Sequence, residues 1–460
     1  MKRILPFFLL LCVVLGGCDS YDDFTTDPSS VLSFSEGTVA FDTVITAEGS
    51  STRTLMVRNK GDKGLRIVAV EFEKGSESPF RANVDGMFLE DGRGTDFEVR
   101  TRDSIFVRLE CTLPETDKDE TTTYEDRLLF HLESGVTQSV SVTAIGMDVY
   151  RWTDVTLTED NTLEAKRPVL VAGPLTVSEG VTFTVKAGTR FFFRDNGSLV
   201  VHGTLHIEGE ENKPVVLRGD RTDRLLWYMP YDNMPDRWNG IVLADGSRDH
   251  RIEWMDLHSS RWGIRAENTD LTVMSSQLHN MSGDAAETSC GMFLKNCNFT
   301  ADNVCISNAM GHGLYLLGGK ATLTHCTMAQ YLLIGGGTKG MALFLANKEG
   351  EEDYDIEGYT FDRCLVMGYG DDVISASFQH PGTREEALLF KECYLNTVRD
   401  DTDERFVDCL YDSEEAEKRG NKGQSPDKRG LYRVFNTAFY LYDFTPASGS
   451  PCEGYGAANY

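Results

Sequence analysis

The chain has 460 residues, 40% of them hydrophobic, with 43 glycines and a formal net charge of −27. This length corresponds to two or three domains, and the composition is that of a folded, turn-rich chain rather than a disordered one. The charge argues against nucleic acid and anionic membrane surfaces as partners, because both call for clustered Lys and Arg. It also counts against an acidic polysaccharide.

Lys2 and Arg3 precede an apolar run at 4–15 that is too short for a membrane span. The run ends in Leu15-Gly16-Gly17-Cys18, which resembles the lipobox of bacterial lipoproteins. That resemblance implies a signal peptide over 1–17, cleavage before Cys18 and lipidation of its thiol. Residues 18–30 form a polar tether with Asp19, Asp22 and Asp23. In some gram-negative lipoproteins such an acidic run marks export, so the resemblance implies an outer membrane lipoprotein displayed on the cell surface.

From 31 to 149 polar and apolar residues alternate at 52–59, 65–72, 104–109, 127–132 and 138–144. Successive strand residues face opposite sides, and turn residues such as Asn59-Lys60-Gly61 and Ser134-Gly135 separate the runs. Several strands at this spacing predict an antiparallel β-sandwich. Phe41-Asp42-Thr43-Val44, then Leu55-Met56-Val57-Arg58-Asn59-Lys60-Gly61, then a strand ending at Gly146, resemble a bacterial family of immunoglobulin-like domains. The resemblance implies a spacer or docking module.

The remainder, 150–460, has a different rhythm. Between 168 and 219, β segments of a few residues are cut by Gly173, Gly180, Gly188, Gly197, Gly203 and Gly209. Glycine supplies the positive φ of tight corners. A small residue or Cys followed two residues later by an apolar one then recurs, ending at Leu257, Leu278, Phe299, Met328, Val366 and Leu395. These lie 21, 21, 29, 38 and 29 residues apart, as expected for one coil plus loop insertions. Residues i and i+2 of a strand share a face, so each pair points inward and coils stack as a solenoid. The predicted fold is all-β: the sandwich, then a parallel β-helix. The glycine-cut opening, Trp238-Asn239-Gly240-Ile241 and the closing Tyr442-Asp443-Phe444 resemble right-handed parallel β-helix repeat proteins. Insertions interrupt the rhythm near 218–238, 347–357 and 399–429, the last with a short surface helix at 413–419.

Of eleven cysteines, Cys12 leaves with the signal and Cys18 carries lipid. The remaining nine cannot all pair within one chain. A reduced internal stack is preferred, since free Cys behaves as a small hydrophobe. Cys290, Cys297 and Cys305 come nearest to a metal cluster but lack ligand spacing. No metal or other cofactor is predicted.

Several residues carry candidate chemistry. The 218–238 insertion groups Trp227, Tyr228, Tyr231 and Trp238 beside Arg218, Arg221, Arg224 and Arg237. Tyr and Trp rings offer apolar platforms with polar edges, as sugar faces require. The competing reading is that Trp227 and Trp238 cover the coil interior. Gly311-His312-Gly313 and Gly370-Asp371-Asp372 resemble fragments of polygalacturonase-like hydrolases, whose chemistry uses paired carboxylates. Here the Asp pair follows the His, the reverse of that family, so His312 stands equally well as a corner before a strand. Asp371 and Asp372 with Glu349, Glu351, Glu352 or Asp353 would suit Ca2+ in a lyase with Lys391 as base. A solvated acidic surface is the commoner outcome. The first functional reading is a non-catalytic surface protein that binds a polysaccharide or cell-surface glycan. The alternatives are a polysaccharide-cleaving hydrolase or lyase, and a structural spacer.

Overall fold

The computed structural model describes residues 23–226, 228–285, 288–334, 336–377, 387–398 and 402–458. Cys18 and Trp227 lie outside the described residues. The chain divides into two compact units, the first ending at Met147 and the second starting at Asp148. Among the described residues no helix is long and apolar enough to cross a membrane.

The first unit contains two five-stranded sheets. The alternating stretches read from the sequence are the strands Arg53–Arg58, Leu65–Phe72, Ser104–Cys111, Thr122–Leu132 and Thr137–Met147. Their inward residues, among them Leu55, Val57, Ile67, Val107, Leu109, Phe130 and Val142, form one core. Each such side chain contributes about 1.5–3 kcal/mol on burial. Pairing is antiparallel except for Thr38–Ile45, which runs parallel to Thr137–Met147.

The second unit is a parallel β solenoid. One sheet has eleven strands, and a second, of seventeen, supplies its other faces. The inward column of the eleven-stranded sheet runs Val169, Phe191, Leu217, Leu257, Leu278, Ile306, Met328, Val366 and Leu395. Phe299 is therefore a correction to the expected column. It pairs instead with Leu271 and Ala321 in the seventeen-stranded sheet. The strand Met292–Asp302, like Leu314–Thr324 after it, runs through a corner of the seventeen-stranded sheet, so Cys297-Asn298-Phe299 follows a corner at Asn296, φ 52°, that belongs to the other sheet.

The corners also differ from the expectation that glycine makes them. Gly173, Gly180 and Gly188 do take positive φ. At Gly203 the need is space, because a Cβ would lie 2.1 Å from the Val181 carbonyl oxygen. Farther along, Ser275, Asn303, His325, Arg363, Glu392 and Asp408 adopt φ of 45–57° themselves. Each precedes an inward residue: Ser276, Val304, Cys326, Cys364, Cys393 and Cys409. The nine described cysteines are free thiols, and the Cys364 amide donates to Cys393 Sγ at 3.4 Å. Cys297 does not belong to this thiol column.

Two segments cover the outward face of the eleven-stranded sheet. The 218–238 insertion lies over its early strands. The C-terminal hairpin, Tyr432–Asn436 with Leu441–Pro446, packs Tyr432 and Phe444 on Cys305, Ala329, Met367 and Tyr394. The helix expected at 413–419 spans Asp412–Lys418 and buries Asp412 and Ala416.

Candidate functional site

The described aromatic residues of the insertion do not present an open platform. Trp238 is fully buried, stacked on Phe193 at 4.2 Å with planes 8° apart, and its Nε1–H donates to the His258 carbonyl at 2.9 Å. Its assignment as a carbohydrate-binding residue is corrected: it is part of the solenoid core. Tyr231 is half-buried, with the Arg221 guanidinium 3.7 Å and that of Arg237 5.4 Å from its ring centre. Arg221 is itself forked onto Asp223, and Arg218 pairs with Asp232 at 3.0 Å. The cations thus neutralise local acids and occupy the ring face. Tyr228 is half-buried in the same loop.

The hydrolase and lyase candidates are dispersed. His312 makes a corner before the strand Leu314–Thr324, stacks on Phe344 at 4.3 Å, and accepts the Met341 amide at Nδ1, 3.0 Å away. Burial pushes its pKa down to about 4, so the ring is neutral at neutral pH. Asp372 accepts from the Ile374 amide and the Thr397 hydroxyl, while Asp371 is exposed. Glu349 pairs with Lys295, and Lys391 with Asp362 and Glu392.

His250 is held like His312. Its Nδ1 accepts the Leu205 amide at 3.1 Å, its Nε2 meets Ser247 Oγ at 2.9 Å, and burial, with His206 nearby, pushes its pKa down to about 4. Both histidines bind a proton more weakly folded than unfolded. Their contribution is therefore full above pH 6.5 and lost as pH falls toward 4, on the order of 2 kcal/mol each. Urea unfolding at pH 7.5 and 4.5 should show a smaller acid loss in His250→Gln and His312→Gln than in the parent. Equal losses would contradict the assignment.

The eleven-stranded sheet carries a denser constellation on its outward face. Asp256 and His258 flank inward Leu257, and Gln277 and His279 flank inward Leu278 on the next strand. His258 Nδ1 lies 2.8 Å from Asp256 Oδ1, and its Nε2 lies 2.7 Å from Asp232 Oδ1. His279 Nε2 reaches the same Asp256 oxygen at 3.2 Å, with the two imidazoles stacked 4.8 Å apart. Burial disfavours charge on His258, but Asp256 and Asp232 outweigh it and push its pKa up to about 9. Burial likewise opposes the Asp256 carboxylate, yet His258 and His279 hold it well below the usual range.

His279 also lines a cleft of about 100 Å³ beside this cluster. Gln277, Ser307 and Asn308 form its floor, and Asn233, Tyr440 and Tyr442 its rim. The Asn233 side chain donates to the Tyr440 carbonyl at 3.1 Å, joining the insertion to the C-terminal hairpin. The Tyr442 hydroxyl is buried with no hydrogen-bond partner. None of these residues was singled out as a site from the sequence, although Tyr442 was named for the fold. The signal existed in the 21-residue separation of His258 and His279, equal to the coil length at Leu257 and Leu278.

No family model and no curated protein matches the chain. Among solved structures, a family 123 glycoside hydrolase from Clostridium perfringens is similar over 26% of this chain and 26% of its own, at 5% identity and TM-score 0.20. The periplasmic chaperone SfaE matches over 27% of this chain and 66% of its own, at 12% identity and TM-score 0.19. A protein of unknown function from Porphyromonas gingivalis W83 matches over 28% of this chain and 60% of its own, at 16% identity and TM-score 0.19. Each likeness spans about a quarter of this chain.

Proposed function

We propose that this is a lipid-anchored protein of the outer cell surface that binds a glycan without cleaving it. In this reading Cys18 bears the anchor, an immunoglobulin-like sandwich acts as spacer, and a right-handed parallel β-helix presents the ligand site. The observation that carries the binding role is the cleft lined by Asn233, Gln277, Tyr440 and Tyr442. Amide side chains and tyrosine rings side by side suit a polyhydroxylated ligand, whose hydroxyls need donors and acceptors and whose C–H faces need apolar rings. The 218–238 loop contributes Asn233 to this site rather than an aromatic platform of its own.

The test is retention of the mature chain on a polysaccharide panel, read together with release of new reducing or unsaturated ends. Retention without new ends is expected. Gln277→Ala removes one amide of the cleft lining, and Asn233→Ala another. Each should weaken retention roughly five- to tenfold, the worth of one hydrogen bond, with little change in melting temperature. New chain ends would establish a cleaving enzyme instead. In cells, Cys18→Ala should move the protein from the membrane to the soluble fraction, and unchanged fractionation would remove the anchor from the reading.

A further inference from the structure

We propose that Asp256, His258 and His279 bind one divalent transition-metal ion of the zinc type, with Asp232 and Arg218 as its outer support. The three ligand atoms lie within 4.8 Å of one another. Two of the separations, 2.8 Å from His258 Nδ1 to Asp256 Oδ1 and 3.2 Å from Asp256 Oδ1 to His279 Nε2, are close to a coordination edge. Bonds of about 2.0–2.1 Å set tetrahedral ligand atoms roughly 3.3 Å apart. The third separation, within 4.8 Å, would have to shorten on binding through movement of the His279 ring.

The chemistry of the set fits the same ion. Two imidazoles and one carboxylate are borderline ligands of the kind zinc takes, and they leave a fourth position open, as in catalytic rather than structural zinc sites. The far nitrogen of His258 is held by a carboxylate, Asp232, which Arg218 fixes in turn. This is the carboxylate–histidine support that orients metal-bound imidazoles. Asp256 and His258 are two residues apart on one strand, and His279 is the register partner of His258 on the next. The spacing is thus set by sheet geometry rather than by a loop. Both His258 nitrogens face carboxylates, Nδ1 toward Asp256 and Nε2 toward Asp232. An ion would displace the proton between Nδ1 and Asp256, leaving the positive charge of the cluster balanced against both acids. His279 also lines the glycan cleft, so the open position would lie beside the ligand. The metal site itself is independent of what that cleft binds.

The test uses the full mature chain, chelator-treated and titrated with Co2+ under reducing conditions. The expected result is one equivalent bound, with the visible absorption of four-coordinate cobalt, displaced by one equivalent of Zn2+. His279→Gln, which keeps a polar side chain beside Asp256, should abolish the band while circular dichroism stays at the parental value and the melting temperature falls only by the lost Asp256 contact. His258→Ala should also abolish it, and Asp232→Asn should weaken affinity about 10–100-fold without changing stoichiometry. Absence of any cobalt band in the parent would overturn the proposal. So would a band that persists in His279→Gln with thiolate charge-transfer character, which would place the ion on cysteines.

Discussion

Trp238→Ala is expected to destabilise the solenoid by about 3–5 kcal/mol, the range for truncating a buried aromatic side chain. The indole has no exposed surface, stacks face to face on Phe193 and satisfies the His258 carbonyl. Truncation opens a cavity between two coils and orphans that carbonyl beside the Asp–His cluster. It also loosens the end of the 218–238 insertion, where the Arg237 amide bonds to the Ser259 carbonyl. Trp238→Phe keeps a ring in the stack and should lose only about 1–2 kcal/mol, the hydrogen bond and some packing. Denaturant unfolding should be fitted as separate transitions, because two units need not unfold together. A loss under about 1 kcal/mol for Trp238→Ala would mean that the ring is surface cover.

Asp412→Ala should be comparably damaging, at about 3–5 kcal/mol, but for an electrostatic reason. Asp412 and Arg429 form a forked ion pair whose side chains are 10% and 8% exposed. The Tyr394 hydroxyl donates to the same carboxylate at 2.9 Å. The pair ties the helix Asp412–Lys418 to the helix Pro426–Arg429 that leads into the C-terminal hairpin. Removing the carboxylate leaves a guanidinium enclosed without a counter-charge. The double change Asp412→Leu with Arg429→Met should recover much of the loss, since a buried ion pair replaced by apolar groups is often neutral or better. A double-mutant cycle measures that coupling. Additive losses would contradict the account. The exposed pair of Arg102 and Asp62, at 75% and 83% exposure, should by contrast contribute under about 1 kcal/mol.

The alternation of inward and outward residues was legible in the sequence because it follows from the backbone. A strand repeats every two residues, and a coil of fixed length brings Leu257 over Leu278 whatever lies elsewhere. The same geometry places His258 over His279 on the opposite face, so the heart of the candidate site was present in the spacing. Phe299 shows where local pattern fails. Its stretch has the corner signature and does turn at Asn296, but the corner leads into the seventeen-stranded sheet, and which sheet a corner feeds depends on how neighbouring coils stack.

Tertiary structure alone decided which outward residues meet water. The 218–238 insertion and the C-terminal hairpin, joined by Asn233 and Tyr440, fold over one sheet across more than two hundred residues of sequence. No local period encodes such docking. It brings Asp232 onto His258 and encloses the ring between two carboxylates, which changes its protonation. Burial and charge state arise from contacts remote in sequence, whereas facing direction arises from neighbours two residues apart. The sequence therefore determined the all-β solenoid and the orientation of its residues. The long-range packing decided which of them became core, ion pair or binding surface.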